Sequence, residues 1–530
     1  VVAGISAAPQ RQAGVTVKTT SRNPLRAAHL LISALAAGAL FDAVNLWLRI
    51  PLGVPSLPEA LSDILVPFIP ASLFGKLLSS LGPYGKQIVF ASSLLGLAIG
   101  IAAAVLAYRR VAVRWGLARA TGGLLLVGWI LLVAIFWTVL DANDRGGDLT
   151  ARHFLSIADL GLSSGAAALA ALFLVGLPSV AARRDPGASF DSGRRRLLGG
   201  IAGAIGLLVI GGAGITAGVR QLMKLSNLGY EGYGTPANAL GPITPTRNFY
   251  VVSKNLIDPM VDADRWQLVI DGMVDHPTNL RLADLRRLPQ AESVATLECI
   301  ANGVGGSLMS TARWNGPTMR DVLATSGVQP GATHVELTAI DGYYDAVTVE
   351  ELGTPGTVLA LDMNGAPLPD RHGFPARIVL PGRYGEKQMK WLTGIRLTNS
   401  PRTGFYQRQG WSEQGVIRNW SRIDNLRHGH SLPAGMALVV QGHAFCGTRG
   451  VAAAQFSIDD GATWSDAKLQ EDLGNNAWRY FEWTWQRPSA GRYSVVVRAR
   501  DGRGDWQQTS YEDIVPKGSS GLHRVTVDVV

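Results

Sequence analysis

The sequence predicts a multi-domain chain: an all-α membrane domain of about five transmembrane helices, then an α+β domain, then an all-β sandwich. Three observations predict it. The 530 residues exceed the roughly 100–200 of one domain. Charge is unevenly divided: residues 1–220 hold 19 Lys/Arg and 9 Asp/Glu, net +10, whereas residues 221–530 hold 30 and 31, net −1. Long apolar stretches occur only in the first part, and short β-like runs between turn residues fill the end of the chain. The overall charge of +9 does not indicate a nucleic-acid partner, because all of the excess sits in the apolar part and no basic stripe follows it. Two cysteines, Cys299 and Cys446, exclude a disulfide scaffold and any Cys-rich zinc or iron–sulfur site. No Cys-x-x-Cys-His is present, so covalent haem is excluded too.

Residues 1–26 read as a cytoplasmic tail and 27–219 as the membrane domain. Within it, the stretches 27–48, 88–108, 116–140, 154–180 and 197–219 each reach the ~20 apolar residues a bilayer crossing needs. A Pro-interrupted amphipathic run over 57–81 reads as interfacial or re-entrant, with a sixth, broken span as the alternative. Arg22 and Arg26, then Arg109, Arg110, Arg114 and Arg119, then Arg183, Arg184 and Arg194–Arg196 mark three basic ends. Between them lie acidic loops with Glu59 and Asp63, and with Asp141, Asp144 and Asp148. The positive-inside rule then puts the N terminus in the cytoplasm and everything after residue 219 outside.

The membrane domain offers no haem site. His29 and His153 are predicted at opposite ends of their spans, and a 20-residue helix is ~30 Å long. Asp42 and Asp159 fall in the outer halves of their spans. Intramembrane carboxylates mark quinone or proton sites; alternatively Asp42 pairs with Asn45 or Arg49, and Asp159 caps the fourth helix. The run Ser192-Gly193-Arg194-Arg195-Arg196-Leu197-Leu198-Gly199 reads either as basic flank or as a twin-arginine export signal. No inverted repeat or paired broken helices support a transporter.

Residues 220–245, with Gly229, Gly232, Gly234, Pro236, Gly241 and Pro245, read as an extended linker. In 246–430 the pattern predicts a strand over 266–270, a short helix over 282–288 and a strand over 293–297 leading to Cys299. In 431–530, strand-like runs at 453–458, 479–485 and 492–500 are separated by turns such as Asp459-Asp460-Gly461 and Asp501-Gly502, which predicts a sandwich.

The chemistry concentrates in residues 246–400. A thiol at a strand end, followed by Asn302-Gly303-Val304-Gly305-Gly306, is a soft metal ligand beside an amide-rich loop, or else a small buried hydrophobe. The block from His372 through Arg377 and Arg383 to Lys387-Gln388-Met389-Lys390-Trp391-Leu392 sets Arg and Lys in a Gly/Pro-shaped loop. That suits a phosphorylated ligand, or else makes salt bridges on a solvated loop.

Together these segments resemble the sulfite oxidase family of molybdopterin enzymes over roughly residues 245–530. The resemblance rests on Thr296-Leu297-Glu298-Cys299-Ile300-Ala301-Asn302, Ser310-Thr311-Ala312-Arg313-Trp314, Met363-Asn364-Gly365-Ala366-Pro367-Leu368-Pro369 and the His372–Leu392 block. It implies a sulfite-oxidase-type molybdopterin domain over 246–430 and an immunoglobulin-like, dimerisation-type domain over 431–530. It implies molybdenum-molybdopterin as cofactor, with Cys299 as the metal ligand; no haem is expected, because the residues themselves carry no haem motif. His372, Arg377, Gln388, Met389 and Lys390 are the implied cofactor-binding residues, with Asp341 ahead of the active-site tyrosine. Tyr250 and Val251 fall on the pterin-contacting stretch of the family's bacterial methionine sulfoxide reductase branch. Tyr343 is the implied catalytic tyrosine, with Tyr344 its rival; Cys446 is a packing residue.

Two departures bear on substrate. Gly303 and Val304 stand where sulfite oxidases carry arginines, and Val252-Ser253-Lys254 replaces an Arg-Asn-His stretch. A desolvated dianion needs charge-assisted partners, so sulfite itself is not carried over; Arg313, Lys254 and Arg383 are the candidates for replacement charge. The expected protein is a multi-pass enzyme of a bacterial cytoplasmic membrane with its catalytic domain extracytoplasmic. It performs two-electron oxygen-atom transfer on a small oxyanion or an S-/N-oxide-like substrate. Electrons pass to quinone or an external redox protein, in a homodimer or larger membrane complex. The alternative is an accessory subunit of an electron-transfer complex whose molybdopterin domain is catalytically weak.

Overall fold

The computed structural model describes residues 24–65, 68–73, 85–140, 149–176, 190–225, 241–255 and 257–530. Residues 1–23, Arg183 and Arg184, the acidic loop 141–148 and most of the expected linker (226–240) lie outside the described residues. The first part is helical: α1 (Pro24–Leu52), α2 (Leu57–Leu65), α3 (Gly85–Trp115), α4 (Leu117–Phe136), α5 (Leu149–Ala171) and α6 (Phe190–Leu225). Five segments, Pro24–Leu52, Gln87–Trp115, Leu117–Val139, His153–Val175 and Leu197–Leu222, are long and apolar enough to cross a membrane. With nine residues, α2 is only ~14 Å long at 1.5 Å per residue, too short to span by itself; residues 66–67 and 74–81 of the amphipathic run lie outside the described residues.

Helix α1 is the hub, packed against α3, α5 and α6. Small residues permit this. A Cβ on Gly38 would lie 2.6 Å from Ala98 O, and Cβ atoms on Gly211 and Gly214 would lie 2.9 and 3.0 Å from the Ala39 and Ala43 methyls. Small residues at these positions let the helix backbones approach closely. The outward faces of α4 and α6 leave Leu126, Ile130, Val209 and Ile210 exposed.

Polar groups inside the bundle are paired differently from expectation. Asn45 donates to Asp159 Oδ2 at 2.8 Å and accepts Leu57 N at 2.8 Å, while Arg49 pairs with Glu59 at 3.1 Å. Neither is Asp42's partner, and Asp42 Oδ2 has no hydrogen-bond partner among the described residues. Asp159 is buried within α5, where it also accepts from Ser163 at 3.2 Å. It does not cap the helix end, because Asn45 of α1 reaches it in the bundle interior.

The middle of the chain is β-rich. A five-stranded mixed sheet runs Thr278–Leu280, Leu268–Gly272, Leu392–Thr398, His334–Ala339, Tyr344–Thr348. Its one parallel pair joins Leu268–Gly272 to Leu392–Thr398. The expected strand at 266–270 is displaced by two residues, because Trp266 is anchored in the core by its indole bond to Leu392 O (3.0 Å) and pairing starts after it. A second sheet holds Gln290–Glu298, Met309–Pro317, Asp362–Met363 and Ala366–Pro367. At the C-terminal end, one sheet contains Trp420–Ile423, Leu438–Phe445, Arg479–Trp485 and Lys468–Leu469. The other contains His430–Leu432, His523–Val529, Gly491–Asp501, Val451–Ser457 and Ser465–Asp466. Val440, Phe481, Val497 and Val525, drawn from both sheets, share one core.

The helical part docks on the β-rich part. Ile257 packs with Leu46, Phe90 and Leu222, and Ala71 packs in a cluster with Ile300 and Trp411.

Candidate active site

Cys299 follows Gln290–Glu298, which pairs along its whole length with Met309–Pro317. The loop joining the two strands is held from within. Buried Asn302 accepts Leu308 N at 3.0 Å and donates to Glu298 Oε1 at 3.0 Å. Ser519 Oγ donates to the Asn302 carbonyl at 2.7 Å, which ties the loop to the C-terminal part. A Cβ on Gly306 would lie 2.3 Å from Asn302 Oδ1, so this closure needs glycine. The space beside Gly303 is open. Burial pushes the Cys299 thiol up to about 12, so a thiolate here requires a strong local positive charge, which a metal supplies.

The cationic wall comes from the segment after Pro369. Gly373 has φ +109, and a Cβ there would lie 3.0 Å from Lys390 Cα and 3.1 Å from Arg377 Cβ. Glycine therefore lets two cation-bearing stretches close on each other. Arg377 spans them, donating from Nη1 to His372 O and from Nη2 to Gln388 O, both at 3.1 Å. Its guanidinium stacks 5.0 Å from the Trp314 ring. Burial lowers Arg377 to about 10, still charged at neutral pH. Arg377 Nε is buried without a partner among the described residues, and buried polar atoms left this way point to an absent acceptor. Lys390 donates to Val252 O and Arg371 O, both at 3.3 Å. Burial, then the charges of Arg377, Arg371 and Lys390, hold His372 well below its ordinary value, so the ring is neutral.

These elements line one cleft, whose empty space together with the solvent at its mouth is about 930 Å³. Tyr250, Val251, Cys299, Asp341, Tyr343, His372, Arg377, Gln388, Met389 and Lys390 all line it. They come from distant segments, and the structure brings every one of them together. Tyr250 is held by its backbone N–H to Ser310 Oγ (3.1 Å) and stacks on Phe249 at 5.5 Å. Tyr343 donates its hydroxyl to Glu386 O at 2.8 Å, and Asp341 accepts Tyr343 N at 3.0 Å. Burial, reinforced by Asp345, keeps the Tyr343 phenol well above its ordinary value, so it is a fixed hydrogen-bonded wall and not a general base at neutral pH.

Tyr344 does not line the cleft; its ring lies against Arg402 at 4.0 Å. Arg313 pairs with Glu292 and Arg383 with Glu351, and neither lines the cleft. Lys254 does. Cys446 is fully buried in the C-terminal core.

Glu386, Tyr406 and Trp411 also line the cleft and were not picked out from sequence. Glu386 sits inside the His372–Leu392 block, and a carboxylate among so many cations was the available signal. Burial pushes it up to about 8, so it carries a proton at neutral pH. Tyr406 and Trp411 are isolated aromatics with no sequence signal.

The donor set fits a phosphorylated, thiolate-bound cofactor: a buried thiol, a guanidinium with an unused N–H, and a lysine share one cleft. Residues 255–406 match the family described as "Oxidoreductase molybdopterin binding domain". The chain is 31% identical over 353 residues to mitochondrial sulfite oxidase of Macaca fascicularis, covering 56% of this chain and 62% of that protein. It therefore spans under two thirds of that relative's length. It is also 31% identical over 190 residues to the uncharacterized oxidoreductase YuiH of Bacillus subtilis, covering 35% of this chain and 94% of that one. The crystal structure of the sulfane dehydrogenase SoxCD from Paracoccus pantotrophus superposes with a TM-score of 0.49 at 21% identity, over 56% of this chain and 86% of that one.

Proposed function

The chain belongs to the sulfite oxidase family of molybdopterin oxidoreductases, and from that premise we propose a membrane-tethered, extracytoplasmic enzyme acting on a small substrate at the Cys299 cleft. The observation that carries this is the meeting of Cys299, His372, Arg377 and Lys390 in one cavity. When bound, molybdopterin supplies two-electron oxygen-atom transfer. Cys299 would hold the metal. Arg377, through its unused Nε, and Lys390 would bind the cofactor's phosphate, with neutral His372 beside them. Tyr250, Val251, Gln388 and Met389 would supply the rest of the cofactor-binding wall. Gln388 is itself fixed by Leu380 N (3.2 Å) and Arg383 O (2.8 Å). Tyr343 and Tyr406 exclude water on the substrate side.

The division into a tail (1–26), membrane domain (27–219), linker (220–245), molybdopterin domain (246–430) and immunoglobulin-like domain (431–530) follows the same reading. Five apolar helices support the tether. A cofactor-loaded domain outside the cytoplasm supports reading Arg194–Arg196 as a twin-arginine export signal. Electrons are exchanged with quinone or a separate redox protein. The open space beside Gly303 favours a second reading, an accessory subunit with weak catalysis.

The test is dye-coupled turnover of the detergent-purified, molybdenum-loaded chain with dimethyl sulfoxide, trimethylamine N-oxide and sulfite. The proposal expects turnover of at least one substrate and none with Cys299→Ser. Metal-loaded protein inert to all of them would support the accessory subunit instead.

A further inference from the structure

The helical part of the chain touches a residue that lines the cleft. Lys254 lines the cleft, and its Nζ lies 3.2 Å from Oδ1 of Asp63, in the last turn of α2. Both side chains are 7% exposed. Lys254 also donates to Asn255 Oδ1 at 2.9 Å, and Asn255 donates to Asp341 Oδ2 at 2.8 Å. Asp341 is the residue that receives Tyr343 N. A buried polar chain thus runs from α2 to the tyrosine side of the cleft.

Helix α2 is rigidly delivered to this position. Ser56 donates from its backbone N–H (2.8 Å) and hydroxyl (2.6 Å) to Glu59 Oε2, which Arg49 of α1 also holds. Leu57 N donates to Asn45 of α1 at 2.8 Å. The positions of Asp63 and Lys254 are therefore determined by α1 as much as by the β-rich part.

The charge balance decides what the cleft accepts. Burial works against the charge on Lys254, but Asp63, Asp341 and Asp258 together outweigh it and hold the amine in the charged form. One cation faces three carboxylates, so a desolvated oxyanion arriving at this wall meets no net positive charge. Of the other cleft cations, Arg377 and Lys390 are assigned to the cofactor, and Arg371 acts on His372 beside them.

We propose that α2 is a built part of the active site and that Asp63, acting through Lys254, makes the cleft select an uncharged oxygen-atom donor, a sulfoxide or amine oxide, over an oxyanion. Asp63 is a positioning residue: it occupies Lys254, a cleft cation that would otherwise grip an anion. The inference rests on reading the cleft as the cofactor and substrate site. With a sulfoxide the S–O bond breaks and the oxygen leaves as water. That consumes two protons and two electrons, the electrons coming from two equivalents of a low-potential one-electron donor, reduced viologen in the assay.

The test measures sulfate binding by isothermal titration calorimetry on the full, molybdenum-loaded chain in detergent. Asp63→Asn is expected to tighten sulfate at least tenfold, about 1.4 kcal/mol, and Asp63→Asn with Lys254→Met is expected to remove the gain. No tightening, or a gain that survives Lys254→Met, overturns the inference. Should Asp63→Asn fail to fold, Lys254→Met alone decides. With Asp63 in place it leaves sulfate affinity within about twofold, and a tenfold weakening would mean that Lys254 already serves as an anion site. Wild-type protein that takes up no molybdenum overturns the reading of the cleft itself, whereas loaded protein without the Asp63→Asn gain overturns only the role of α2.

Discussion

Asn302→Ala removes the side chain on which the Cys299 loop is built. Two buried hydrogen bonds go with it, to Leu308 N and to Glu298 Oε1, both 3.0 Å. The Leu308 N–H and the Glu298 carboxyl then lose their partner, and each buried group left unsatisfied costs about 1–3 kcal/mol. The expected local destabilisation is therefore about 2–6 kcal/mol, which is at least about thirtyfold in the opening equilibrium of the loop. Global unfolding is the wrong assay for a chain of several parts, because a single two-state free energy is not defined. Amide hydrogen exchange resolved to peptides covering residues 299–308 reads the loop directly. Exchange at Leu308 is expected to accelerate at least thirtyfold. Ser519→Ala, which removes one neutral bond at 2.7 Å, gives the smaller effect of about fivefold expected from ~1 kcal/mol. Unchanged protection at Leu308 in Asn302→Ala would refute the view that this side chain orders the cysteine loop.

Arg377→Lys keeps the charge but not the fork that reaches both His372 O and Gln388 O; molybdenum content measured by mass spectrometry is expected to fall at least fivefold. Cys446→Ala leaves a small cavity in the C-terminal core, costs about 1–2 kcal/mol, and leaves molybdenum content unchanged. His523 accepts Ile423 N on Nδ1 at 3.0 Å, and burial, then Arg422, depress it from 6.5 to about 4. Below pH 6.5 the unfolded chain takes up a proton that the folded chain refuses. Stability is therefore full above 6.5 and falls as the pH drops towards 4, by about 3 kcal/mol at most. Protection factors in strand His523–Val529, which remove the intrinsic pH dependence of exchange, are expected to fall between pH 7 and 5 in the wild type and much less in His523→Gln; equal slopes would contradict the assignment.

What could be read from sequence was whatever the chain holds in contiguous runs. Cys299 at a strand end, and His372, Arg377 and Lys390 within one Gly/Pro-shaped block, carry their chemistry in local order. All of them line the same cleft. Pairings across long separations could not be read this way. Lys254, Arg313 and Arg383 were equivalent cations on paper. Only tertiary packing sends Arg313 to Glu292 and Arg383 to Glu351 and leaves Lys254 in the cleft opposite Asp63, 191 residues away. Asn45 looked equally available to Asp42 and was claimed by Asp159 from a different helix. Strand positions were predicted to within three residues, the strand at 293–297 beginning at Gln290, and the shift at 268 arose from one buried indole, Trp266, bonded to a distant carbonyl.

The central claim is that Cys299 holds a molybdenum centre in the cleft shared with Arg377 and Lys390. Metal content of the detergent-purified full chain, made in a host competent for molybdopterin, tests it most directly when combined with the molybdenum electron paramagnetic resonance signal after partial reduction. About one molybdenum per chain is expected, with a signal that changes in Cys299→Ser. No molybdenum in the wild type, or a signal identical in Cys299→Ser, would contradict it.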